Sequence, residues 1–190
     1  MKIIYGQLPK GAECRPFEAH HDQRGTFREI YCDHWNTALK DISQLSVVHS
    51  KQGVLRGMYF HRQHDEYISL LKGSAIIGLS DLRDNSSSFG TSCLIEVGQD
   101  SPCCVSFPRG ILHGWLFTND SVHLQAVSES YREYADHDNL GCRWDDPELD
   151  LPWPVKPTMV SDRTDSLGSL QELMATIRNL EAAKQILHAE

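Results

Sequence analysis

Between Gly53 and Gly73 the chain reads "GVLRGMYFHRQHDEYISLLKG", which sets Arg56, Tyr59, His61, His64 and Glu66 within eleven residues of one another. An imidazole gains or loses a proton near neutrality, and a neighbouring carboxylate either orients it or joins it around a cation. If the stretch is a pair of strands, alternation turns Met58 and Phe60 one way and Tyr59 and His61 the other, so a phenol and an imidazole share a face. A further imidazole comes from Pro108-x-Gly110-x-x-His113. Two chemistries fit these residue types. One is an acid–base wall. The other is a metal site built from His61, Glu66 and His113, with Tyr59 or His64 as a fourth ligand, a set suited to Fe(II), Mn(II) or Zn(II). A wet pocket of hydrogen-bonded polar side chains fits as well.

The elements that must position these groups are short strands. From residue 27 to 130 the chain runs through "GTFREIYC", "QLSVVHS", "GVLRGMYF", "YISLLKGSAIIGLSDL", "SCLIEV", "CCVSFP", "ILHGWLFT" and "VHLQAVSES", separated by "KGS", "RDNSSSFG", "GQDSP", "PRG" and "TND". Runs of this length and spacing predict an all-β sandwich or barrel. After Trp144, "DDPELDLPWPVKPTMVSDR" carries four prolines and predicts an extended strap across the body. The tail from residue 166 to 190 places Leu170, Leu173, Met174, Ile177, Leu180 and Leu187 at helical spacing, which predicts one amphipathic helix against the barrel or a second subunit. The expected organisation is a single domain over 1–190, with the body at 1–165.

A net charge of −8, with 18 Lys and Arg scattered along 190 residues, argues against a nucleic-acid partner. No apolar run reaches membrane-spanning length and the N-terminus breaks into Pro, Gly and charge, so a soluble cytoplasmic protein is expected. Six cysteines without C-x-x-C spacing read as reduced thiols. Outside a ligand role, His20, His21, His49, His64, His123 and His137 read as surface residues, and Trp115, Trp144 and Trp153 as packing.

The spacing Gly53-x5-Tyr59-x-His61-x4-Glu66-x6-Gly73, followed by the motif ending at His113, resembles the two cupin motifs, with Tyr59 at the first histidine and Phe117 at the final asparagine. That resemblance implies a double-stranded β-helix, or jelly roll. Over residues 17 to 165 the order "FEAHHDQRGTFREIY", "KQGVLRGMYF", "SDLRDNSSSFG", "FPRGILHGWLF", "GCRWDDPELDLPWP" and "VSDR" is similar to the dTDP-4-dehydrorhamnose 3,5-epimerase family. The resemblance implies a homodimeric jelly roll that needs no metal or other cofactor and acts on nucleotide-linked 4-keto-6-deoxy sugars. In that chemistry the ketone acidifies neighbouring C–H bonds, a base forms an enolate, and a proton returns to the opposite face.

Position by position, the resemblance implies that Arg56 binds the diphosphate and that Arg24, Glu29 and Gln44 contact the nucleotide, Glu29 from the partner subunit. It further implies that His113 lines the sugar site and that Tyr134 is the general acid. Three positions depart from the pattern. Tyr59 stands where the family has its base histidine, Thr164 where it has the aspartate partner, and Glu66 where it has a lysine. A phenol, with an ordinary pKa near 10, is a poor resting base at neutral pH. The expectation is therefore that His61, oriented by Glu66, shifts the proton transfer, giving epimerisation at one carbon or a keto-sugar isomerisation. A metal-dependent enzyme and a non-catalytic sugar-nucleotide binder are the alternatives.

Overall fold

The computed structural model describes residues 1–35, 37–99, 102–134 and 138–187. The strands are β1 (Lys2–Gly6), β2 (Glu13–Pro16), β3 (His20–Asp22), β4 (Gly25–Phe27), β5 (Gln44–Ser50), β6 (Leu55–Phe60), β7 (Glu66–Lys72), β8 (Ser74–Asp81), β9 (Ser92–Gly98), β10 (Cys103–Phe107), β11 (Ile111–Phe117), β12 (Ser121–Val127) and β13 (Leu140–Gly141). Three helices follow β12: α1 (Tyr131–Tyr134), α2 (Asp162–Asp165) and α3 (Leu170–Leu187). Two antiparallel sheets face each other, one ordered β1-β9-β8-β11-β6-β13 and the other β2-β10-β7-β12-β5, with β3 and β4 as a separate hairpin. This is the jelly roll expected.

Alternation along the strands divides the core. Ile77, Ile95, Trp115 and Phe117 of the six-stranded sheet pack between the sheets against Ile68, Leu70, Val105 and Phe107 of the five-stranded one. Their neighbours Ile76, Leu94, Leu112 and Leu116 point outward with Leu55, Met58 and Phe60, and are covered by Leu149 and Leu151 of the strap and Leu173 and Ile177 of α3. Each such aliphatic side chain contributes about 1.5–3 kcal/mol by leaving water. The helix therefore packs on the barrel. Its start is fixed by a reciprocal cap, in which Glu172 N–H donates to Ser169 Oγ at 3.2 Å and Ser169 N–H donates to Glu172 Oε2 at 2.7 Å.

Several boundaries differ from the sequence reading. Only Gly25–Phe27 of "GTFREIYC" is strand, and β1, mostly exposed, and β2, mostly half-buried, arise as edge strands where no strand is anticipated. The strap is extended but for a 3-10 turn at Pro147–Leu149, and its "SDR" starts α2, with Ser161 Oγ accepting Thr164 N–H. Among the described residues no helix is long and apolar enough to cross a membrane. All six cysteines are free, and burial pushes Cys14, Cys93 and Cys142 up to about 12.

Candidate active site

A cavity of about 320 Å3 opens between the two sheets. Arg56 and Tyr59 of β6, His61 just beyond it, and His113 and Trp115 of β11 form one wall, while Val48, Glu66, His123 and Gln125 of β5, β7 and β12 form the other. Tyr131 of α1, Asn139 and Arg163 complete the lining. The alternation expected for β6 holds: Tyr59 and His61 face the cavity while Met58 and Phe60 join the outer core. Two glycines let β6 and β11 approach, since a Cβ on Gly57, whose φ is +123°, would lie 2.6 Å from Gly114 Cα and 2.7 Å from the His113 carbonyl oxygen.

The floor is built around Glu66, which is 2 % exposed. Its Oε1 lies 3.1 Å from His61 Nε2, 3.5 Å from His64 Nε2 and 3.6 Å from His113 Nε2, and its Oε2 accepts Gln125 Nε2–H at 3.2 Å. Each imidazole is held from behind. The Asp138 carbonyl accepts from His61 Nδ1 at 2.5 Å, the Ile111 carbonyl accepts from His113 Nδ1 at 3.1 Å, and His64 Nδ1 lies 3.2 Å from Asp138 Oδ2. Asp138 is itself fixed by the N–H groups of Arg62 and Gln63. Burial alone would raise the Glu66 carboxyl, but the imidazoles of His113, His61 and His64 outweigh it and hold Glu66 well below the usual carboxylate range. Burial opposes charge on His64 too, and there Asp138 and Glu66 prevail and lift it to about 9. For His113 burial wins, taking it down to about 4. Among the described residues, His61, His64 and Glu66 form a buried trio whose ligand atoms lie within 4.8 Å of one another; His64, Glu129 and Asp138 form a second.

Tyr59 stands apart from this floor. Its hydroxyl lies 3.0 Å from Thr164 Oγ1, and the Arg163 guanidinium carbon sits 5.0 Å from the centre of its ring. Thr164, on α2, is buried and is tied to Ser161 Oγ at 3.2 Å. Arg56 reaches the mouth, its Nε donating to Ser50 Oγ at 2.9 Å and its Nη2 to the His49 carbonyl at 3.3 Å.

Tyr59, His61, His113, Arg56 and Glu66 thus share the cavity. Arg24 and Glu29 do not line it; both are exposed, Arg24 on the β3–β4 hairpin in an ion pair with Asp22. Gln44 lies at the start of β5, where its Oε1 accepts the N–H of Tyr131 at 2.9 Å. Tyr134 ends α1 and its side chain lies outside the described residues, as does His137. Two surface expectations are overturned, because His64 is 1 % and His123 3 % exposed. His64 is drawn inward by Asp138, and His123 stacks between Trp115 and Phe117 at ring distances of 6.1 and 5.4 Å. Burial takes His123 down to about 4, with Arg56 adding to the effect. Tyr131, Asn139, Arg163 and Gln125 are lining residues that sequence reasoning did not single out.

A sequence model of the family described as dTDP-4-dehydrorhamnose 3,5-epimerase matches residues 9–172. The chain belongs to the dTDP-4-dehydrorhamnose 3,5-epimerase family. It is 27% identical over 187 residues to the Mycobacterium tuberculosis protein named dTDP-4-dehydrorhamnose 3,5-epimerase, covering 93% of this chain and 91% of that one. It is also 27% identical over 145 residues to the spore coat polysaccharide biosynthesis protein SpsL of Bacillus subtilis, covering 75% and 95%. The solved M. tuberculosis rmlC epimerase superposes with a TM-score of 0.80 at 26% identity over 93% of this chain and 92% of that one. ChmJ, a 3'-monoepimerase from Streptomyces bikiniensis solved with dTDP-quinovose, shares the fold with a TM-score of 0.78 at 22% identity, over 94% and 91%. In this chain's cavity three imidazoles cluster on one carboxylate.

Proposed function

We propose that this chain binds a nucleotide-linked 4-keto-6-deoxy sugar in the cavity between its sheets and epimerises it at one carbon beside the ketone. The observation that carries the reading is the contact of Tyr59 with Thr164. The resemblance sets these two residues at the positions of the family's base and its carboxylate partner, and here they are two hydroxyls. Neither accepts a proton readily at neutral pH, so one of the family's proton-transfer routes is closed.

His113 is the imidazole best placed to take the proton. The Ile111 carbonyl can only accept, so Nδ1 carries hydrogen and Nε2 carries the lone pair. His61, the base expected from sequence, has Nδ1 on the Asp138 carbonyl and Nε2 on Glu66. In the proposed step His113 Nε2 takes the C–H proton, the electron pair moves into the enolate, and a phenol returns a proton to the opposite face. Tyr131 supplies that phenol, entering after β12 of the five-stranded sheet while His113 stands on the six-stranded one. Arg56 receives the diphosphate, where a guanidinium fork suits paired phosphate oxygens.

A homodimer completes the reading. Arg24 and Glu29, implied as nucleotide contacts, are exposed and away from this chain's own cavity, while edge strand β5 presents Leu45 and Val47 at 58 % and 59 % exposure. The test is proton exchange followed by NMR in deuterium oxide with dTDP-4-keto-6-deoxyglucose. One ring proton should disappear, with the rate falling about 10²-fold or more in His113→Asn and in Tyr131→Phe. Exchange at two carbons, or none in a protein that binds the sugar nucleotide, overturns the proposal.

A further inference from the structure

We infer that Tyr59 is a hydrogen-bond donor to the ketone oxygen of the bound sugar, and that Arg163 backs it with positive charge. The target, a nucleotide keto sugar, rests on the proposed function; the direction of the donor rests on hydrogen-bond accounting. Ser161 Oγ accepts the Thr164 N–H and donates its own hydrogen to Thr164 Oγ1, both at 3.2 Å. Thr164 is 2 % exposed, so its hydroxyl hydrogen needs an acceptor within the protein, and the oxygen it meets is Tyr59 Oη at 3.0 Å. A phenol oxygen that accepts from Thr164 keeps its own hydrogen to give. Tyr59 lines the cavity and Thr164 does not, so that hydrogen turns toward the substrate space.

The placement suits the task. Tyr59 and His113 are directly paired between β6 and β11, and both face the cavity. The carbon that loses its proton and the carbon that bears the ketone oxygen are neighbours, so a base and a donor on adjacent side chains meet both at once. The Arg163 guanidinium carbon lies 5.0 Å from the centre of the Tyr59 ring, and its Nη2 donates to the Asn139 carbonyl, which holds the cation there. Positive charge therefore stands beside the phenol that faces the developing oxyanion. The resemblance implies a lysine for that charge at the position of Glu66, where a carboxylate cannot serve. In this chain the role passes to Tyr59 and Arg163.

In the step itself His113 Nε2 takes the C–H proton, the C–H electron pair becomes the carbon–carbon π bond, and the carbonyl π pair moves onto oxygen. Tyr59 keeps its proton throughout and stabilises that oxygen by donating a hydrogen bond. A phenol is a poor base and a good donor for the same reason, that it holds its hydrogen at neutral pH.

The experiment uses the full chain with dTDP-4-keto-6-deoxyglucose carrying 13C at C4, followed by isotope-edited infrared spectroscopy and by proton exchange in deuterium oxide. The C4 carbonyl stretch of the bound sugar should move to lower frequency in the wild type and return toward its free value in Tyr59→Phe. Exchange should fall about 10²- to 10³-fold in Tyr59→Phe, the loss expected for one oxyanion donor, while dTDP affinity by calorimetry stays within about twofold. Thr164→Val should slow exchange about tenfold, and Thr164→Ser, which keeps the hydroxyl, should recover most of that loss. The same carbonyl frequency in wild type and Tyr59→Phe, or undiminished exchange in Tyr59→Phe, overturns the inference. A carbonyl shift abolished by Tyr59→Phe in a protein that shows no exchange leaves the donor standing and sinks the epimerase reading; exchange with a carbonyl that Tyr59→Phe leaves unchanged does the reverse.

Discussion

The hydroxyl of Tyr59 stands 3.0 Å from the hydroxyl of Thr164, on a strand and a helix that lie 105 residues apart in sequence. The contact joins two neutral hydroxyls where the epimerase reading sets an imidazole and a carboxylate. Replacing both partners tests this directly: Tyr59→His with Thr164→Asp installs an imidazole and a carboxylate at the same separation. The expected outcome is exchange at a second ring carbon, rising about 10²-fold above the parent. Each single variant should show less than a tenth of that gain, because a lone imidazole lacks its partner and a lone aspartate is buried without one.

Arg56 has its Nε and one Nη on Ser50 and His49, which aims the guanidinium at the cavity mouth. Arg56→Lys keeps the charge and loses the fork. Charge-assisted hydrogen bonds contribute about 1.5–3 kcal/mol each, so calorimetry with dTDP should show affinity lower by about 10- to 100-fold.

Asp81 is fully buried and accepts from Arg83, Ser86 and Ser88. Burial alone would raise its pKa; the hydrogen bonds from Arg83, Ser86 and Ser88 prevail and lower it to about 2. A carboxyl whose pKa is depressed on folding stabilises the fold above its unfolded value of about 3.9 and loses that stabilisation as the pH falls through the folded one. Urea denaturation should therefore show wild type well above Asp81→Asn at pH 7, with the gap narrowing between about pH 4 and pH 2.

A Cβ on Gly57 would lie 2.6 Å from Gly114 Cα across the β6–β11 pairing, and its φ of +123° strains any side chain. Gly57→Ala should lower stability by about 2–4 kcal/mol in chemical denaturation, since the nearest atoms are backbone and cannot step aside. The same push falls on the His113 carbonyl, so exchange should drop even at temperatures where the variant is folded.

Leu45 and Val47 lie in register on the exposed face of edge strand β5. Leu45→Lys with Val47→Lys should convert a dimer to monomer in analytical ultracentrifugation and abolish nucleotide-sugar turnover, if Arg24 and Glu29 serve the partner's cavity. A variant that remains dimeric places the interface elsewhere.

Much of the barrel was legible because period-two alternation is local. "QLSVVHS" became β5 without change, and the facing of Tyr59 with His61 followed from counting along β6. The N-terminal strands β1 and β2 were illegible because they are edge strands that bury little, so pairing with β9 and β10 rather than their own composition makes them strands. In the site, Tyr59, His113, Arg56 and Glu66 were readable from motif spacing. His64 was named as a candidate ligand, but its burial was not readable: it sits between Gln63 and Asp65 in a polar loop, and is buried only because Asp138 crosses 74 positions to meet it. Tyr131 escaped notice for a similar reason, since it reaches the cavity only through the turn after β12.

The carboxylate of Glu66 arrives on the five-stranded sheet, while His61 and His113 arrive on the six-stranded one. The gap between the sheets therefore acts as a calliper on the reactive cluster, set by the side chains that hold the sheets apart. Phe107, whose ring centre is 4.7 Å from that of His113, is one of those spacers. Trimming or enlarging it resets the jaw, so a core substitution with no polar atom in it can retune which ring carbon the floor meets.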